Sequence, residues 1–262
     1  MNKYAGKVRI GAIAILSAAA FVIMAATASV THAQPATSPP SLTTISLPDS
    51  LGFPGSPVGD TATINLAVNN TGTTGPLFID SVTSSDPAEF AVGTSTCPSG
   101  GIGLAPGHSC TIAIGFRPND LGLRGATLKL SDNTATSPQS VALSGTGTIT
   151  MTVLPDQYSF ANVNAGSRTI KEITVNNFQT KPVSLTESFG GSNAHDFSVT
   201  GGTCTATLAA RSDCSLLVTF APTVSGMESA FMLVTDIPDP LGPYTVSLAA
   251  VVATPQPPEP TP

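Results

Sequence analysis

The stretch CTIAIGFRP, Cys110 to Pro118, returns as CSLLVTFAP, Cys214 to Pro222, with its cysteine 104 residues further on. In each phrase the apolar residues take every second position: Cys110, Ile112, Ile114 and Phe116, then Cys214, Leu216, Val218 and Phe220. A period of two puts them on one face of a β-strand, because successive side chains point to opposite sides. Pro118 and Pro222 have no amide proton to give to a ladder, so each strand ends there. Each phrase therefore reads as one core strand whose first residue is an inward-pointing cysteine.

The repetition extends in both directions. Upstream the offset is 107: Phe53 matches Phe160, Gly59 matches Gly166, and Val68-Asn69-Asn70 matches Val175-Asn176-Asn177. Phe90 and Cys97 match Phe197 and Cys204 at the same offset. Downstream it falls to 104, with Leu104 on Leu208 and Phe116 on Phe220, so the loop between the cysteines is three residues shorter in the second copy. Val141 and Leu143 match Val246 and Leu248, one residue further out of step. An ordered series of this length predicts two tandem domains of about a hundred residues each.

Other stretches alternate in the same way. Ile64, Leu66 and Val68 are interleaved with Thr63, Asn65 and Ala67, and Leu128/Leu130 and Val141/Leu143 repeat the pattern. About seven short strands per copy, separated by Gly, Pro, Asn and Asp, fit an immunoglobulin-like sandwich. The expected fold is all-β, with two tandem immunoglobulin-like β-sandwich domains, 41–147 and 148–252, after an N-terminal signal peptide. The copies should meet near Gly145 to Met151, where the glycines imply some interdomain motion unless a large apolar contact forms.

The signal peptide is assigned to residues 1–33. Lys3, Lys7 and Arg9 precede an apolar run from Ile10 to Val30, and Thr31-His32-Ala33 offers small residues at the cleavage site. An uncleaved membrane anchor is the alternative, since the run approaches the length of a spanning helix. The alanines and the polar QPATSPP that follows favour cleavage. Residues 34–40 and 253–262 are Pro-rich and are expected to be an extended linker and a disordered tail. Losing Lys3, Lys7 and Arg9 leaves seven of the ten cations against 16 acidic residues, a net charge of about −9. Seven scattered cations do not make a phosphate-binding surface, so neither nucleic acid nor an anionic membrane face is an expected partner.

The string LxxGxxCxxxxxFxP, here Leu104 to Pro118, followed by SDNTATSPQSVALSGTG, resembles bacterial choice-of-anchor D repeats. These are similar to the wider abnormal-spindle and hydin (ASH-like) group of immunoglobulin-fold domains. The first copy matches from about Ser41 to Gly147. The second departs from the pattern, with Arg211 in place of Gly107 and DIPDPLGPYTVSLAAV in place of the SPQSVALSG region. The resemblance implies an exported, cell-surface or periplasmic sandwich module and carries no catalytic motif.

Four cysteines, two per copy and equally placed, predict the disulfides Cys97–Cys110 and Cys204–Cys214, because any other pairing ties two separate domains together. Each would stabilise its domain by about 3 kcal/mol. Neither pair has the close spacing of zinc thiolates, so no metal or other cofactor is expected. Gly107-His108-Ser109-Cys110-Thr111 approaches a nucleophile elbow but lacks its last glycine and leads into a strand. The matching Arg211-Ser212-Asp213-Cys214-Ser215 has no histidine, so the segment reads as a turn. His195 reads as a solvated loop residue. Asp86 with Glu89, and the matching Asn193 with Asp196, read as solvated loop carboxylates rather than a calcium site. Gly100-Gly101-Ile102-Gly103 reads as loop, not as a phosphate cradle. With no Trp in the chain, and only Tyr158 and Tyr244 as tyrosines after the expected cleavage site, stacking platforms for sugars are few.

The expectation is a secreted, periplasmic or cell-surface protein without enzymatic activity. Its role would be structural or adhesive, with another protein or an envelope component as partner and no membrane span in the mature chain. The alternative is a periplasmic assembly chaperone that adds a strand to its client, in which Arg168 and Lys171 would line a basic cleft between the domains.

Overall fold

A computed structural model describes residues 43–236 and 239–254. The expected signal peptide, the linker 34–40 and residues 255–262 of the expected tail lie outside the described residues.

The first sandwich begins with β1 (Ile45–Ser46), β2 (Ser50–Gly52), β3 (Ser56–Pro57), β4 (Ala62–Asn70) and β5 (Ile79–Ser84). It continues with β6 (Phe90–Ser95), β7 (Ser109–Phe116), β8 (Gly122–Asp132) and β9 (Gln139–Thr148). One sheet has the order β1-β4-β7-β6 and the other β2-β9-β8-β5, with β3 also pairing β9. The second sandwich comprises β10 (Met151–Leu154), β11 (Gln157–Asn164), β12 (Thr169–Asn177), β13 (Val183–Gly190) and β14 (Phe197–Gly202). After these come β15 (Thr207–Leu208), β16 (Asp213–Phe220), β17 (Gly226–Asp236) and β18 (Tyr244–Ala253). Its sheets run β10-β12-β16-β14 and β11-β18-β17-β13-β15. These are two tandem immunoglobulin-like sandwiches, and each has its own apolar core.

The cysteine phrases are β7 and β16, central strands with alternating burial. Cys110, Ile112, Ile114 and Phe116 face one core, and Cys214, Leu216, Val218 and Phe220 face the other. Each core is centred on three phenylalanines. Phe53, Phe90 and Phe116 have ring centroids 5.7, 5.5 and 4.8 Å apart, and Phe160, Phe197 and Phe220 have 5.7, 5.2 and 4.7 Å. Such tilted and offset pairs add about 0.5–1.5 kcal/mol each beyond the area they bury.

The repeated asparagines close the same corner in both copies. Asn70, at the end of β4, donates its amide to the carbonyls of Gly75 and Leu104 and accepts from the Gly72 N–H. Asn177, at the end of β12, donates to Lys181 and Ala209 and accepts from the Gln179 N–H. Both are buried, and both satisfy backbone groups that have left the ladder.

The junction glycines are closely packed, and hydrogen bonds cross from one sandwich to the other. Gly145 and Gly147 lie within β9, where they permit close packing. A Cβ on Gly145 would stand 2.5 Å from the Phe116 ring, and one on Gly147 would stand 2.0 Å from the Asp120 carbonyl oxygen. Only Ile149 and Thr150 separate β9 from β10. Thr150 is fully buried, and its hydroxyl donates to the Asp239 carboxylate at 2.8–2.9 Å beside the Tyr244 hydroxyl at 2.7 Å. Tyr244 also donates to Asp239, at 2.7 Å. Across the junction, Asp60 of the first sandwich accepts from the N–H and hydroxyl of Thr180 in the second, at 2.6 and 2.9 Å.

Candidate interaction surface

The two disulfides form as the repeat predicts. Cys97 is bonded to Cys110 and Cys204 to Cys214, with Cα–Cα distances of 4.8 Å in both. Each fastens the loop after an edge strand (β6 or β14) to the start of a central one. Gly100-Gly101-Ile102-Gly103 lies inside the first of these loops, and Ile102 is largely exposed.

Gly107 to Thr111 is a turn leading into β7. Gly107 takes a left-handed backbone, φ +75°, and Arg211 takes the same conformation in the second copy, φ +55°. Ser109 and His108 are exposed, and His108 Nδ1 lies 3.1 Å from the Pro106 carbonyl oxygen. No nucleophile–base pair is assembled there.

Two of the loop acids, Glu89 and Asp196, are not solvated, which corrects the sequence reading for them, while Asp86 and Asn193 are half-buried. Glu89 is 2% exposed and Asp196 is 4% exposed. Each sits one residue before a core phenylalanine, and the chain pulls it between the sheets. Glu89 is held by the Arg124 guanidinium, whose Nε lies 2.9 Å from Oε2. Glu89 also accepts from the Asn119 N–H. Asp196 closes a short 3-10 turn, Ala194–Asp196, in which the exposed His195 brings Nε2 to 3.3 Å from Asp196 Oδ2. The residue facing Asp196 is Glu228, also buried. Sequence reading missed Arg124 and Glu228. Both lie about 30 residues downstream on another strand, and only an offset of 104 carried through to β8 and β17 finds them.

Arg168 and Lys171 do not line the junction. They lie at or near the start of β12, at the opposite end of that strand from Asn177 and Thr180. Lys171 instead rests over the Tyr158 ring, 5.7 Å from its centroid, and the Tyr158 hydroxyl donates to the Glu172 carbonyl. The junction has a different cation, Arg117. Its Nε donates to the Gly59 carbonyl, beside a cleft of about 310 Å³ lined also by Val58, Pro118 and Pro240. A larger groove of about 480 Å³ opens on the second sandwich between Leu185, Val199, Cys204 and Leu216.

The outward faces of the long hairpins are nearly free of charge. On β17 and β18 the exposed side includes Met227, Ser229, Phe231, Ser247, Ala249 and Val251, and Met227 stands opposite Val251. The matching position in the first copy, Leu123, is 79% exposed, and Met227 is 89% exposed. Apolar side chains held in the open at repeated positions are groups that a contacting surface could cover. Among the described residues no His, Cys, Asp and Glu group of three or more is arranged to hold a metal ion. Among them, too, no helix is long and apolar enough to cross a membrane.

No family model matches the sequence. No curated protein matches it either. Solved structures do resemble the fold. A Porphyromonas gingivalis W83 protein of unknown function aligns with a TM-score of 0.34 at 13% identity, over 79% of this chain and 99% of its own. An ASH/PapD-like domain of human CEP192 aligns at 0.32 and 13%, over 41% of this chain and 87% of its own. The zebrafish RET cadherin-like domains 1 to 4 align at 0.40 and 11%, over 80% of this chain and 51% of theirs. At these scores the likenesses stand as observations about shape.

Proposed function

We propose that the protein is an exported, non-enzymatic structural or adhesive module of the choice-of-anchor D type, in contact with another protein or an envelope component. The observation that carries this reading is the way the two sandwiches are built and joined. Each is stapled by its own disulfide, Asp60–Thr180 bonds one to the other, and Thr150–Asp239–Tyr244 holds the connecting residues to the second. Such a unit holds two sets of sheet faces at a set spacing, which suits a spacer or an adhesive stalk. Disulfides persist in oxidising compartments, which supports a location outside the cytoplasm. The motif residues from Leu104 to Gly147 support the family assignment.

The test is fractionation of the producing cells followed by crosslinking of the native protein. The expected result is an extracytoplasmic protein that begins after Ala33 and is crosslinked to a specific neighbour through the β8–β9 or β17–β18 faces. A cytoplasmic protein that retains Met1 and has four free thiols would overturn the proposal.

A further inference from the structure

The two sandwiches solve the same electrostatic problem differently. In the first, Glu89 enters the gap between the sheets and Arg124 on β8 neutralises it. In the second, Asp196 takes the place of Glu89. The N–H of Arg117 donates to the Glu89 carbonyl, and the N–H of Ala221 donates to the Asp196 carbonyl, both at 2.8 Å. Glu228 takes the place of Arg124, since Arg124 stands opposite Gly145 of β9 and Glu228 opposite Ala250 of β18. The guanidinium has been exchanged for a second carboxylate.

That exchange leaves buried oxygens without partners. Both carboxylate oxygens of Glu228, and Oδ2 of Asp196, are shielded from solvent and accept no hydrogen bond from the protein. The His195 ring, 3.3 Å from Oδ2, lies outside hydrogen-bonding geometry and is itself exposed. Among the described residues nothing else titratable reaches the pair. β18 offers Ala250, and on β13 the acidic Glu187 stands opposite Val234, far along β17 from Glu228. The loop from Ala221 to Gly226 carries no ionisable side chain. Two neighbouring carboxylates removed from water cannot both remain ionised without a compensating cation, and a single proton between them both cancels a charge and supplies the missing donor.

We propose that Glu228 keeps a proton at neutral pH and donates it to Asp196, which does in the second sandwich what Arg124 does in the first, so that this contact tightens on acidification. Burial, reinforced by the negative charge of Asp196, pushes the Glu228 carboxyl above the usual carboxylate range, while the His195 charge acts in the opposite direction. The folded state thus holds the proton more tightly than the unfolded chain does. The stabilisation is complete below the ordinary glutamate value, about 4.3, and is lost as pH rises through the higher folded value. A protein working outside the cytoplasm, where pH is less buffered, would have this contact in its second half stiffened by acid.

The experiment is a series of thermal melts of the full chain from about pH 4 to about pH 9, in chelator, for the wild type and Glu228→Gln. The expected wild-type melting temperature falls by several degrees as pH rises, while E228Q gives a flatter curve that lies higher at the alkaline end. Parallel curves would overturn the proposal. So would a wild-type curve that calcium or magnesium flattens at alkaline pH, because a metal ion would then be the missing charge. A direct reading comes from the carboxyl carbon of Glu228 followed by NMR in the wild type, which holds even if the variant fails to fold. A midpoint above the ordinary carboxylate range supports the retained proton, and one at or below it refutes it.

Discussion

Asp60 in the first sandwich and Thr180 in the second are 120 residues apart in sequence, and one carboxylate oxygen of Asp60 accepts two hydrogen bonds from Thr180. Asp60 is 4% exposed, so both bonds are made away from water. Hydrogen bonds to a charged group contribute about 1.5–3 kcal/mol each. Asp60→Ala should therefore lower the stability of the full chain by about 3–6 kcal/mol and loosen the junction. Denaturant unfolding measures the first effect, and a broadened distribution of distances between spin labels on the two sandwiches measures the second. An unchanged distribution would mean that the Asp60–Thr180 contact is not what holds the junction.

Asn70 and Asn177 lend themselves to a matched pair of substitutions. Each side chain satisfies two carbonyls and one N–H, all of them buried bonds at Asn70, so truncation strands three backbone groups. Asn70→Ala and Asn177→Ala should each cost about 2–4 kcal/mol. Chemical denaturation decides it, and aspartate at either site should be no better than alanine, since it cannot donate to the carbonyls.

Arg211 holds a left-handed conformation that glycine holds in the first copy, and the matching Gly107 has open space around it. A non-glycine residue there carries a strain of about 1 kcal/mol. Arg211→Gly should stabilise the second sandwich by up to about 1 kcal/mol, net of the extra freedom that glycine gives the unfolded chain. A melting temperature that falls instead would show that the arginine side chain makes a contact worth more than the strain.

Reduction of both disulfides should cost each sandwich about 3 kcal/mol, with little difference between bridges that span 13 and 10 residues. Non-reduced peptide mapping checks the pairing, and melts with and without reductant check the loss. No metal should be released in the process.

The central strands were legible because their chemistry is local. In CTIAIGFRP the alternation, the cysteine and the closing proline are all within nine residues, and the second copy repeats them. The acids before Phe90 and Phe197 were misread for the opposite reason. A polar loop beside a strand looks solvated, and the partners that reveal otherwise, Arg124 and Glu228, come from another sheet. The packing of Gly145 and Gly147 is hidden in the same way, since nothing adjacent in sequence announces the Phe116 ring or the Asp120 carbonyl above them. The Asp60–Thr180 contact belongs to neither copy alone, so no comparison of the copies could supply it.

The bridges also determine how the molecule would lengthen under tension. A chain pulled from its two ends can straighten everything except what lies between bonded cysteines. The 13 residues closed by Cys97–Cys110 and the 10 closed by Cys204–Cys214 stay coiled after their sandwiches have come apart. At about 3.5 Å per extended residue, roughly 45 and 35 Å of contour are withheld. A tethered chain would yield in two steps, each shortened by its own bridge, and a reducing medium would restore the missing length.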